Sequence, residues 1–154
     1  MGVNRSIDAL KPELAAAVRI FLTRCDEEKF PVLIIETDRS QAVQDAYYAQ
    51  GRQSIDVVNQ LRQAAGLYLI KERENTIVTN AKVSNHTGGK AVDMAPEIAG
   101  RPGYPWWNAP SWVWERMGLL GEKCGLDWCA GGWGQTWGMG WDNPHFELMK
   151  QEAA

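Results

Sequence analysis

Histidine is nearly absent from this chain: 154 residues include two, His86 and His145. Cysteine is scarce too. Cys25, Cys124 and Cys129 are odd in number and share no C-x-x-C spacing, which argues against a disulfide framework or a cysteine zinc knuckle and predicts free, mostly buried thiols. No apolar run approaches the roughly 20 residues of a membrane span, so no stable membrane association is expected. Lys11, Pro12, Glu13, Arg19 and Arg24 break every early hydrophobic stretch, and no secretory signal is expected either. Lys and Arg form no basic run, and the net charge is -3, so nucleic acid is set aside as a partner. There is no internal repeat and no low-complexity tract, so residues 1–154 are read as one domain.

The composition, 45% hydrophobic and 23% charged, is that of a globular protein with enough chain to bury a core. From about Ser6 to Lys29, Leu10, Leu14, Val18, Phe21, Leu22 and Cys25 recur at helical spacing. Val32 to Thr37 is β-rich and continuously apolar, which predicts a buried strand bringing Glu36 and Arg39 to its C-terminal end. Ser40 caps a second expected helix ending near Gly51, with Ala42, Ala46 and Ala49 on one face and Gln44 and Tyr47 on the surface. Asp56 to Ala65 predicts another helical turn or two. Leu67 to Lys71 and Thr76 to Val83 read as strands around a solvated charged turn. Ala95 to Pro110 holds four prolines and two glycines and reads as a long ordered loop or flap. Ser111 to Lys123 is helical in spacing, with Gly125 as its stop. All eight tryptophans lie between Trp106 and Trp141; packing is the commoner explanation for them, although such rings can also stack on glycan.

Both histidines lie near carboxylates. In Ser84-Asn-His86-Thr-Gly-Gly-Lys-Ala-Val-Asp93, a glycine turn separates an imidazole from a carboxylate, which suits two extended arms joined by that turn. Trp141-Asp-Asn-Pro-His145-Phe-Glu147 supplies a second imidazole and two more carboxylates. Strand alternation turns His145 and Glu147 to one face, with Phe146 and Leu148 toward the core. Two imidazoles and one carboxylate favour zinc, and His86, Asp93 and His145 make the three-ligand set of a catalytic site. Asp142 reads as a general base that takes a proton from an activated water and hands it to the departing amine. Glu147 as base and Asp142 as turn former is the competing assignment, and spacing leaves both open. Met1-Gly-Val-Asn-Arg-Ser6 and Asn85-His-Thr87 match an acylation and a glycosylation pattern, and matches this short are read as accidental.

Ser84-x-His86-x-x-Gly89-x-Ala91-x-Asp93 followed by Asp142-x-x-His145-Phe-Glu147 resembles the M15-type zinc peptidases of bacterial cell-wall peptides. These are the D-alanyl-D-alanine carboxypeptidases and dipeptidases and the L-alanyl-D-glutamate endopeptidases of bacteriophage lysins. The likeness extends to Glu36-x-x-Arg39-Ser40-x-x-x-Gln44, Tyr48, Gly51-Arg52 and Thr79-Asn80-Ala81, and so spans about residues 32 to 149. It implies an α+β fold, a small antiparallel sheet flanked by helices, of the DD-peptidase/Hedgehog-like zinc peptidase kind. It makes His86, Asp93 and His145 the zinc ligands and Asp142 the catalytic acid/base. Arg39 would face the substrate, binding a peptide carboxylate or steadying the oxyanion. Ser84 and Gln44 would be hydrogen-bonding neighbours of the substrate. The chain departs from the lysin pattern at Gly125-Leu-Asp-Trp128-Cys-Ala-Gly-Gly-Trp133, where such members carry a compact Gly-Leu-x-Trp-Gly-Gly, and in the flap with Trp106-Trp107.

The resemblance implies a monomeric zinc peptidase acting on the peptidoglycan stem peptide at the L-alanyl-D-glutamate bond. It would be an endolysin made without a signal peptide in the host cytoplasm and released to the wall. A D-alanyl-D-alanine carboxypeptidase or dipeptidase is the alternative enzyme. A non-catalytic, zinc-stabilised wall-binding module is the alternative from another class.

Overall fold

The computed structural model describes residues 2–128 and 143–149. A 3-10 turn at Ile7–Ala9 leads into α1 (Pro12–Glu27), whose proline sits in the first turn, where its missing N–H costs no helical bond. Strand β1 (Val32–Glu36) is followed by α2 (Gln41–Ala49) and α3 (Ile55–Ala64). Ser40 and Ser54 cap these two helices, their hydroxyl oxygens accepting from the Val43 and Val57 amides. After a long irregular connection come β2 (Ala91–Pro96), α4 (Ser111–Lys123), β3 (Leu126–Trp128) and β4 (His145–Leu148).

The four strands form one sheet in the order β1-β2-β4-β3, and every neighbouring pair is antiparallel. Helices α1 and α4 lie against it. The fold is therefore α+β, as expected. Alternation along β2 and β4 sends Val92, Met94 and Phe146 into the core, where they meet Leu14, Val18 and Phe21 of α1, Met117 of α4 and Trp128 of β3. Each such fully buried side chain contributes about 1.5–3 kcal/mol relative to leaving it in water. Gly118 and Gly121 in α4 let the helix close onto Trp128 and Phe146, whose rings occupy the space a side chain would need. The opposite side of the same strands carries Asp93, His145 and Glu147.

Several expectations are corrected. Leu67 to Lys71 and Thr76 to Val83 form no strand; the region holds a short 3-10 turn, Glu72–Glu74, and irregular backbone. Ile77, Val78 and Val83 are 56%, 55% and 72% exposed. Their β-branching had no apolar face to pack on, and β-propensity reflects such packing more than backbone preference. Gln44 is fully buried, not on the surface. Leu148, at the end of β4, is 36% exposed and only its neighbour Phe146 reaches the core. His86 sits in a turn, so only the Asp93 side of the proposed pair of arms is extended. The flap begins as sheet, because β2 runs on to Pro96, and it is then pinned by a bridge between Glu97 and Pro105. Cys25 is buried and Cys124 partly so, and both are free thiols. Cys129 and Asp142 lie outside the described residues, as do Trp133, Trp137 and Trp141 of the tryptophan-rich stretch.

Candidate metal centre

Sheet register builds most of the site. Asp93 on β2 is directly opposite His145 on β4, and on its other side it pairs with Glu36 of β1, across an irregularity between Ile34 and Glu36. Directly opposite residues in an antiparallel pair lie about 4.5–5.5 Å apart, close enough for side chains to share one ligand.

His86 arrives from the turn before β2. The Thr87 amide donates to the Ser84 carbonyl, the Gly89 amide to the His86 carbonyl and the Lys90 amide to the Asn85 carbonyl, winding the turn tight. Gly89 has φ 73, and a side chain there would run into the Ala9 carbonyl, so this position needs glycine. The Gly88 amide donates to Asp38 Oδ1 and the Arg39 amide to the His86 carbonyl, which fastens the turn to the end of β1.

His86, Asp93 and His145 each offer one ligand atom, and these atoms all lie within 4.8 Å of one another. Asp93 Oδ1 is 3.2 Å from His86 Nε2 and 3.5 Å from His145 Nδ1. The two rings stand edge to face, their centroids 5.2 Å apart. The far nitrogen of each ring is held. His86 Nδ1 is 3.3 Å from the Thr37 carbonyl oxygen and His145 Nε2 is 2.7 Å from Glu147 Oε2. Both partners only accept, so each ring carries its hydrogen there and turns a lone pair toward Asp93. Asn85 Nδ2 in turn donates to Glu147 Oε1 at 2.9 Å.

The donor set fits a metal ion. Asp93 Oδ1 is buried and receives no directed hydrogen bond, although two ring nitrogens flank it. A carboxylate oxygen between two imidazole lone pairs is what a shared cation requires. Burial pushes the Asp93 carboxyl up, but the His145 and His86 imidazoles beside it outweigh this and hold it well below the usual carboxylate range. Glu147 is lowered as well, by the His145 hydrogen bond above all, against burial and with help from Asn85.

The trio opens into a cleft of about 1370 Å³, which Arg39, Ser84 and Asn85 also line. Arg39 is tightly held. Its Nε and Nη2 donate to Glu36 Oε1, its Nη1 donates to Gln44 Oε1 at 2.9 Å, and Gln44 Nε2 donates to the Ala81 carbonyl at 2.7 Å. The guanidinium also lies 5.0 Å from the centre of the Tyr47 ring. Ser84 Oγ accepts the His86 amide at 3.1 Å. The structure thus brings together His86, Asp93 and His145, with Arg39 and Ser84 on the same cleft. Gln44 is buried behind Arg39 and does not line the cleft.

Sequence reasoning missed Asn85 and the Thr37 carbonyl. Asn85 had a signal: an amide next to one ligand, facing the strand that carries another. The Thr37 carbonyl had none, because backbone at the end of a strand leaves no mark in residue type.

No protein-family model matches the chain, and a comparison with curated proteins finds no match. Solved structures do match. The L-Ala D-Glu endopeptidase ChiX of Serratia marcescens aligns at TM-score 0.56 and 19% identity, over 97% of this chain and 90% of ChiX. The vancomycin resistance D,D-pentapeptidase VanY of a VanB-type cassette, in complex with Zn(II), aligns at 0.53 and 11% identity, over 92% of this chain and 73% of VanY. The LD-carboxypeptidase LdcB aligns at 0.53 and 12% identity, over 93% of this chain and 60% of LdcB. At these identities the likeness establishes the fold, which this chain shares with three peptidases.

Proposed function

We propose that the protein is a zinc-dependent peptidoglycan peptidase that cleaves the stem peptide, at the bond between L-alanine and D-glutamate. The observation that carries this reading is the His86, Asp93 and His145 trio lining a peptide-sized cleft, with both imidazoles oriented from behind. ChiX, similar over nearly its whole length, is an L-Ala D-Glu endopeptidase, and VanY holds Zn(II), which supports both the bond and the metal.

His86, Asp93 and His145 would hold the ion. When bound, zinc supplies Lewis acidity that polarises a carbonyl and makes water acidic near neutral pH. The protein's own groups do the rest. Asp142, three residues before His145, takes the proton from the attacking water and returns it to the departing amine. Glu147 is the positioning carboxylate rather than the base, since its oxygens are engaged by His145 and Asn85. Arg39, immobilised by Glu36 and Gln44, steadies the oxyanion or a peptide carboxylate without having to reorganise. Ser84 shapes the turn that presents His86 and lines the cleft beside it. We place the protein among endolysins, as a monomer that reaches the wall after release from the host cell. Among the described residues, no helix is long and apolar enough to cross a membrane.

Two substitutions test the assignment together on purified peptidoglycan. Asp142→Ala is expected to keep bound zinc and lose hydrolysis, and His86→Ala to lose the metal. A wild-type protein that binds zinc and releases no peptide fragments would make it a wall-binding module.

A further inference from the structure

The cleft holds a second arginine besides Arg39. Arg62, in the last turn of α3, is only 4% exposed and lines the same cleft as the metal trio. Its partners are all neutral. Nε donates to the Tyr68 carbonyl at 2.7 Å, Nη1 donates to Gln50 Oε1 at 3.0 Å, and the guanidinium stacks 4.8 Å from the Tyr68 ring centre. None of the ion pairs among the described residues includes Arg62. Glu74, which also lines the cleft, turns its Oε1 to the Lys71 amide instead.

A guanidinium has five N–H donors, and here two are used, which leaves Nη2 without a protein partner among the described residues. Buried charges in proteins are ordinarily paired. Arg39 obeys that rule through Glu36, and Arg62 does not. Tyr47, whose ring lies against the Arg39 guanidinium, lines the same cleft as both arginines. The cleft volume of about 1370 Å³ exceeds that of common small-molecule pockets, roughly 300–1,000 Å³, and suits an extended ligand.

We propose that Arg62 is an anion subsite of this cleft, which takes a carboxylate of the bound peptide through its open Nη2 edge. The identity of the ligand rests on the peptidase reading. Glutamate has two carboxyl groups, of which only one continues the chain, so a peptide cut beside it always brings a fixed carboxylate. Its C-terminus brings another.

The test is calorimetry of the zinc-loaded protein with L-Ala-D-Glu-L-Lys, linked through the glutamate side chain, with the Ala–Glu amide replaced by a CH2–NH link. Two counterparts carry an amide at the free glutamate carboxyl or at the C-terminus. One of the two amides should weaken wild-type binding by about tenfold or more, the scale of a hydrogen bond to a charged group. Arg62→Gln should weaken the parent ligand equally and erase that discrimination, while Arg62→Lys should retain part of it. Equal binding of all three ligands by the wild type overturns the proposal without reference to any variant. So does an Arg62→Gln effect of the same size on all three, which marks a purely structural arginine. Cleavage is read separately with the unmodified peptide: discrimination without cleavage removes the peptidase and keeps the subsite, and cleavage without discrimination does the reverse.

Discussion

Replacing Glu147 with glutamine tests how the centre is held. The wild-type carboxylate serves two donors at once, His145 Nε2 at Oε2 and Asn85 Nδ2 at Oε1. An amide of the same shape has one acceptor oxygen, so Glu147→Gln must present its NH2 group either to the His145 N–H or to the Asn85 amide. In the first case the ring loses the bond that fixes its tautomer, and in the second the side chain loses the anchor that aims it. Outer partners of this kind change metal affinity by about 10–100-fold, equivalent to about 1.4–2.7 kcal/mol. The expected result is a zinc Kd higher by that factor, measured by competition with a chromophoric chelator at constant pH. Asn85→Ala should give a smaller change in the same direction, because it leaves the His145 contact intact. Unchanged zinc affinity in Glu147→Gln together with abolished hydrolysis would refute the reasoning and make Glu147 the base.

Further predictions concern the scaffold. Gly118→Ala places a methyl group inside the Trp128 ring and should cost about 1–3 kcal/mol in chemical denaturation; an unchanged midpoint would mean the α4–β3 contact is looser than described. Ser40→Ala removes the hydroxyl that accepts the Val43 amide and should cost about 1 kcal/mol, which thermal unfolding at fixed zinc will show. Burial pushes the Cys25 thiol up to about 12, so at pH 8 about one molecule in ten thousand is thiolate there. Site-resolved mass mapping after alkylation should therefore find Cys124 modified well before Cys25. With its folded value raised above the ordinary 9.0, Cys25 contributes stability fully below pH 9 and loses it as pH rises toward 12. Cys25→Ala should flatten that alkaline decline.

Much of the site was legible because strand alternation is a strict rule. Once Asp93 and His145 are placed on neighbouring strands, their pairing follows from which residues face the core, and Val92 and Phe146 fix that choice. The helices were legible for a similar reason, since Leu14, Val18 and Phe21 repeat at helical spacing above a core. What failed was context. Gln44, expected on the surface beside Tyr47 and away from the alanine-lined face of α2, is buried, with its amide satisfied by Arg39 and the Ala81 carbonyl. Strand β3 escaped notice because three residues directly after the Gly125 turn show no periodicity; its existence depends on pairing with β4. The β-branched residues of 76–83 misled for the opposite reason, as they had the propensity and no partner. Arg62 gave no sequence signal at all, because burial of a charge is a property of the fold.

The central claim is hydrolysis of one bond by the zinc-loaded centre, and mass spectrometry of fragments released from purified peptidoglycan tests it most directly. The account predicts new amino-terminal D-glutamate that disappears when zinc is removed and returns when it is restored. Release of free D-alanine would contradict the choice of bond and point to a carboxypeptidase, and intact stem peptides with zinc bound would contradict catalysis itself.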